Sequence, residues 1–159
     1  MKFESSKIRN FVVAGHSGAG KTSLCDLMLY KAKAVDRLGS VDHKTSISDY
    51  TADEQEKHSS IYASYLNCAW RDQHFFFTDT PGYGEFVGEV ISAFRASGMA
   101  MIVVDGEQGI EFGTARAWKF ATEFKIPHIV FVNRLDRTMA DFDRVLEQLQ
   151  EAFGKTVCV

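Results

Sequence analysis

Short apolar runs recur along the chain, separated by segments whose apolar residues return every three or four positions. Residues 8–14 predict a buried strand, and residues 23–34 a helix with apolar positions at Leu24, Leu27, Met28 and the Tyr30–Lys31 pair. Residues 36–59 are polar, with little periodicity of either kind. Residues 61–69 and 74–79 predict two strands, joined by Trp70-Arg71-Asp72-Gln73 as in a hairpin. Phe86, Val87, Val90, Ile91 and Phe94 share one helical face, and residues 99–105 form a continuous apolar strand. Phe112, Ala115, Trp118–Lys119 and Phe124 make a weaker helical pattern, followed by a buried strand over residues 126–132. Phe142, Val145, Leu146, Leu149 and Phe153 keep helical spacing up to Gly154, a suitable stop. Strands alternating with helices predict an α/β fold whose doubly wound, mostly parallel sheet is covered on both faces. Residues 155–159 look like the opening of another element, and Val130 and Val132 would otherwise lie on an edge strand. The expectation is one domain, residues 1–159, truncated before its last strand and helix and forming the front of something longer.

Composition changes this picture little. With 159 residues, 45% of them hydrophobic and 25% charged, the chain can bury the core of one globular domain. A formal charge of −3 supplies no general attraction to DNA or to an anionic membrane. Cys25, Cys68 and Cys158 share no metal-ligand spacing, and their odd number argues against a disulfide framework; buried reduced thiols are expected. No apolar run reaches membrane-spanning length, and residues 1–7 lack an apolar signal segment. A cytoplasmic monomer is the expectation, with no DNA and no membrane as partner.

The chemistry enters with Gly15-His16-Ser17-Gly18-Ala19-Gly20-Lys21-Thr22, the pattern G-x-x-x-x-G-K-[ST] between a strand and a helix. Its glycines let successive N–H groups point inward at a polyphosphate, Lys21 can reach the β- and γ-phosphates, and Thr22 can ligate Mg²⁺. These features define a P-loop NTPase. A second element, Asp79-Thr80-Pro81-Gly82, follows an apolar strand. Alone it would be a turn; downstream of a P-loop, Asp79 can hold the Mg²⁺ through water and the Gly82 N–H can bond the γ-phosphate. A third, Asn133-Arg134-Leu135-Asp136, also ends a strand. An aspartate at position 136 can accept from guanine N1–H and the 2-amino group together, whereas adenine would leave the charge unpaired. Asn133 would touch the base edge and brace the P-loop, and Arg134 would lie over the purine face. The predicted cofactors are GTP or GDP with Mg²⁺.

These motifs in this order, with Arg37-Leu38-Gly39-Ser40-Val41, Ser48-Asp49-Tyr50 and Tyr83-Gly84-Glu85-Phe86-Val87-Gly88-Glu89, resemble the translational GTPases. Within them the chain is most similar to elongation factor G, specifically its elongation factor G-like, or second elongation factor G, group. The resemblance implies a G domain that binds GTP and Mg²⁺, docks on the ribosome and couples hydrolysis to movement of tRNA and mRNA. It also implies that Ser60 of the first switch is a further Mg²⁺ ligand, and that Gly82, Tyr83 and Ser60 form the hydrolytic centre. Four departures fall there: Gly18 for the family's aspartate, Tyr83 for its histidine, Lys57-His58-Ser59-Ser60 for Arg-Gly-Ile-Thr, and Ser17 with Ser59 for a hydrophobic gate. A phenol, with a pKa of about 10 in water, cannot act as a ready base at neutral pH but can orient a water. The expectation is slow intrinsic hydrolysis with weakened ribosome stimulation. The alternatives are a guanine-nucleotide-dependent ribosome-binding module with little or no hydrolysis, or a ribosomal protection, drug-release relative. The family's fifth motif, a Ser-Ala pair, does not follow Asp136.

Overall fold

A computed structural model describes residues 4–159. The reading of residues 1–7 as free of a signal segment rests partly on residues 1–3, which lie outside the described residues. Five strands form one sheet: β1 (Ile8–Gly15), β2 (Ser64–Trp70), β3 (Gln73–Asp79), β4 (Ala100–Asp105) and β5 (His128–Asn133), in the order β2-β3-β1-β4-β5. Only the β2–β3 pair is antiparallel. The hairpin between them turns on Arg71 and Asp72, with φ of 47° and 63°, the left-handed pair that a two-residue turn of matching twist requires. The helices are α1 (Lys21–Lys31), α2 (Ala52–Lys57), α3 (Val87–Ala96), α4 (Phe112–Glu123) and α5 (Phe142–Phe153).

Alternation along the strands divides the core. Val12, Ala14, Ile102, Val104 and Val130 pack with Val90, Phe94, Ala117, Ala121, Val145 and Leu149 of α3, α4 and α5. Phe11, Val13, Phe77 and Val103 face the other way, towards Cys25 and Leu29 of α1, and the Phe11 and Phe77 rings stack 5.4 Å apart. All parallel strands therefore end at one edge, where the loops after β1, β3, β4 and β5 gather.

Several elements differ from the sequence reading. Helix α1 starts at Lys21 and buries Lys21, Thr22, Cys25, Asp26 and Leu29, while Leu27 and Tyr30 are exposed. Its inner face carries polar groups because Thr22 and Asp26 bond Asp79 and the Ile47 N–H beneath the helix. Helix α4 buries Gly113, Thr114, Ala117 and Ala121 and leaves Phe112 73% exposed; small residues let it lie close to β1 and β4. The polar segment contains α2, which has no apolar stripe and begins with a capping box between Thr51 and Glu54. The strand expected over residues 61–69 runs from Ser64 to Trp70. Val130 and Val132 are buried on the edge strand β5, and the Val130 N–H donates to the Cys158 carbonyl at 2.8 Å, so the C-terminal residues run beside that edge. The cysteines are free, but only Cys25 is buried and Cys158 is exposed.

Candidate functional site

The loop from β1 to α1 turns through Gly18 and Gly20 at φ of 81° and 88°, left-handed values that favour glycine. Gly20 caps α1 without a side-chain bond, so the first N–H groups of that helix keep their capacity for an anion. Lys21 is buried, and its ammonium donates to the His16 carbonyl at 2.7 Å. Burial pushes its pKa below the ordinary lysine value, while the Asp79 charge partly opposes the shift. Gly82 packs against the loop so closely that a Cβ there would fall 2.5 Å from the Ser17 backbone nitrogen and 2.7 Å from Lys21 Nζ.

Beneath the loop, four oxygens converge from three segments. The Thr22 hydroxyl donates to Asp79 Oδ2 at 2.7 Å, and the Ser60 hydroxyl donates to Asp49 Oδ1 at 2.7 Å. With both protons so directed, Thr22 Oγ1 and Ser60 Oγ oppose each other 3.0 Å apart. Asp79 Oδ1 and Asp49 Oδ2 are buried without partners. Burial raises the Asp79 carboxyl to about 6, against the opposing pull of Lys21, and raises that of Asp49 as well. Opposed lone pairs and orphaned carboxylate oxygens suit a hard divalent cation, so the residues present fit Mg²⁺.

Ser60 reaches this point because Glu54 holds the preceding chain. Its fully buried carboxylate accepts the N–H groups of Ile61 and Tyr62 at 3.0 and 3.1 Å, and both the N–H and the hydroxyl of Thr51. Asp26 on α1 accepts the Ile47 N–H at 3.1 Å and fixes an earlier part of the same segment. Glu54, Asp26 and the cation-side role of Asp49 were not found from the sequence. The only signal for Glu54 was Thr51-x-x-Glu54, a capping box in a segment without an apolar stripe.

At the other end, Asn133 Nδ2 donates to the Ala19 carbonyl at 2.9 Å and ties β5 to the loop. Arg134 has φ of 60°, and its guanidinium pairs with Asp105 Oδ2 at 2.9 Å. The head group is thereby committed, and the aliphatic stem is what remains for a purine face.

Ser17, Gly18, Gly20, Lys21, Thr22, Ser60, Gly82, Tyr83 and Arg134 line one cavity of about 470 Å³, closed on its other side by residues 38–42. Gly15, Ala19 and Asp79 are buried behind it. The His16 ring points away, towards α4. Asp136 is exposed, lies outside the cavity lining and makes no hydrogen bond or ion pair among the described residues. A larger apolar cavity, about 780 Å³, lies between α1 and the start of β1 and contains none of these residues.

Residues 6–158 match the family of the elongation factor Tu GTP-binding domain. The chain is 36% identical over 147 residues to a protein called ribosome-releasing factor 2, mitochondrial, of Drosophila yakuba, covering 92% of this chain and 21% of that protein. It is 34% identical over 150 residues to an elongation factor G-like protein of Thermotoga maritima, covering 94% and 21%. A crystal structure of a Thermus thermophilus protein superposes with a TM-score of 0.91 at 35% identity, covering 94% of this chain and 23% of the other. The chain thus spans about a fifth of the length of the curated relatives it matches. No helix among the described residues is long and apolar enough to cross a membrane. With the P-loop, the strand-ending aspartate and the Asn133 tie all in place, this chain belongs to the family of the elongation factor Tu GTP-binding domain, among the translational GTPases of the elongation factor G type.

Proposed function

We propose that this chain binds GTP with Mg²⁺ and hydrolyses it as part of a factor acting on the ribosome. The observation carrying this reading is the shared cavity of Lys21, Thr22, Ser60, Gly82 and Tyr83, with Asn133 fastening the base-reading loop to the P-loop. The names of the relatives, a ribosome-releasing factor and an elongation factor G-like protein, support the ribosome as partner.

In this reading the loop N–H groups and Lys21 receive the β- and γ-phosphates, and Gly82, packed on Lys21, directs its N–H to the terminal phosphate. Thr22 and Ser60 would hold the Mg²⁺ directly, with Asp79 and Asp49 behind them. Bound there, Mg²⁺ supplies charge neutralisation between the phosphates. Tyr83, half-exposed at the cavity, positions the attacking water by its hydroxyl. Asp136 and Asn133 select guanine, and the stem of Arg134 covers the ring.

Phosphate release by the intact protein, with and without ribosomes, tests this. Ribosomes should stimulate release, and Y83H should raise it further, by roughly tenfold if a charged or basic ring helps orient the water. An unchanged rate in Y83H on saturating ribosomes would refute the role of Tyr83, and no stimulated release in either protein would refute hydrolysis.

A further inference from the structure

The first turn of α4 touches both phosphate-side loops. On one side, the Gly113 N–H donates to His16 Nδ1 at 3.1 Å, and His16 Nε2 lies 3.4 Å from Glu111 Oε1. Nδ1 accepts, so the ring proton sits on Nε2, facing the carboxylate. The approach requires glycine, because a Cβ on Gly113 would collide with the His16 backbone. Helix α4 is thus fixed directly to the P-loop.

On the other side, Arg116, one turn further along α4, donates from Nη2 to the Gly82 carbonyl at 3.2 Å and to the Tyr83 carbonyl at 3.4 Å. These carbonyls bracket Tyr83. The same guanidinium lies against Gly84, where a Cβ would be 3.2 Å from Nη1, and over the Phe112 ring at 5.5 Å. Among the described residues no carboxylate lies within ion-pair distance of Arg116 or of Lys21, which packs on Gly82 through its ammonium. Two cations without a direct ion-pair contact therefore flank one glycine. The hydrogen-bond acceptors of this half-buried guanidinium are two adjacent carbonyls, which donors in a fixed plane suit.

We propose that Arg116 is a positioning residue for hydrolysis: carried on a helix locked to the P-loop by His16 and Gly113, it clamps the Gly82 and Tyr83 carbonyls and thereby aims the Gly82 N–H and the Tyr83 side chain at the terminal phosphate. The inference rests on the proposed reading of Gly82 and Tyr83 as the γ-phosphate side of the site. It assigns to α4 the role of a common base, so that the second switch keeps its register with the P-loop.

Hydrogen–deuterium exchange of the intact protein, nucleotide-free and with a non-hydrolysable GTP analogue, compares wild type with R116M and R116K. R116M should speed amide exchange across residues 82–86 by at least about tenfold while leaving β1 and α1 unchanged. On ribosomes, its single-turnover hydrolysis at saturating GTP should fall roughly 10- to 100-fold with GDP affinity held within about twofold. R116K, able to reach one carbonyl, should recover part of both effects. Unchanged exchange at residues 82–86 would overturn the proposal. So would faster exchange spread equally through β1 and α1, or a rate loss matched by an equal loss of GDP affinity. A wild-type protein that takes up no GTP would refute the proposed function, while exchange in the nucleotide-free protein would still decide for or against Arg116.

Discussion

Asp79 shows how burial of a carboxyl weakens the protein that carries it. Its carboxyl is buried, leaves one oxygen without a partner, and is raised by burial to about 6. A carboxyl whose folded pKa lies above its unfolded value binds its proton more tightly in the native state. The contribution of this carboxyl to stability is therefore fullest below about pH 4 and is lost as pH rises through 6. Asp49 and Asp26 are raised by burial in the same direction. D79N keeps an acceptor for the Thr22 hydroxyl and removes the charge. In metal-free, nucleotide-free buffer at pH 7, D79N should be more stable than wild type to urea by about 1–2 kcal/mol. Adding Mg²⁺ and GDP should reverse the order, because wild type then gains more. A less stable D79N in the empty state would contradict this. Candidate residues were legible wherever one contiguous motif carried them, and Lys21, Thr22, Asp79 and Asn133 are held together around the loop after β1. Asp49, Glu54 and Arg116 reach the site from separate segments, and only three-dimensional folding brings them there.

Among the elements, β4 and the second half of β1 were legible because they are buried on both faces and read as continuous apolar runs. The inner faces of α1 and α4 were not, since polar groups and small residues occupy them for closeness to the P-loop and to β1. Phe112 heads the apolar pattern of α4 yet is exposed, whereas Leu149 of α5 is fully buried in the core. L149A should therefore cost about 3 kcal/mol in urea unfolding, and F112A within about 0.5 kcal/mol. Equal losses would place the helix faces wrongly. Helix α2 escaped sequence reading because a single buried carboxylate, not a stripe, holds it. E54A removes the acceptor for four donors. Exchange of amides across residues 51–63 should become roughly 10- to 100-fold faster, with β1 and β4 unaffected. Unaltered protection there would show that Ser60 is held by other means.

At the scale of the molecule, one sheet edge gathers the loops proposed to handle opposite ends of a nucleotide. The proposed phosphate end is assembled: Thr22 bonds Asp79 and meets Ser60, which bonds Asp49. The base end is tied on by Asn133, but Asp136 stands exposed and without a partner among the described residues. In the proposed reading, selection of guanine rests on a side chain whose partner would be the base itself. Equilibrium binding of GTP, ATP and xanthosine triphosphate to wild type and to D136N, with Mg²⁺ present, decides the matter. Xanthine carries a carbonyl where guanine has its 2-amino group, so an aspartate repels it and an asparagine amide can donate to it. Wild type should prefer GTP to both others, and D136N should prefer xanthosine triphosphate, with a change in the GTP-to-xanthosine ratio of roughly 100-fold or more. ATP binding as well as GTP, or a ranking untouched by D136N, would contradict a P-loop and an Asp136 that grip one guanine nucleotide between them.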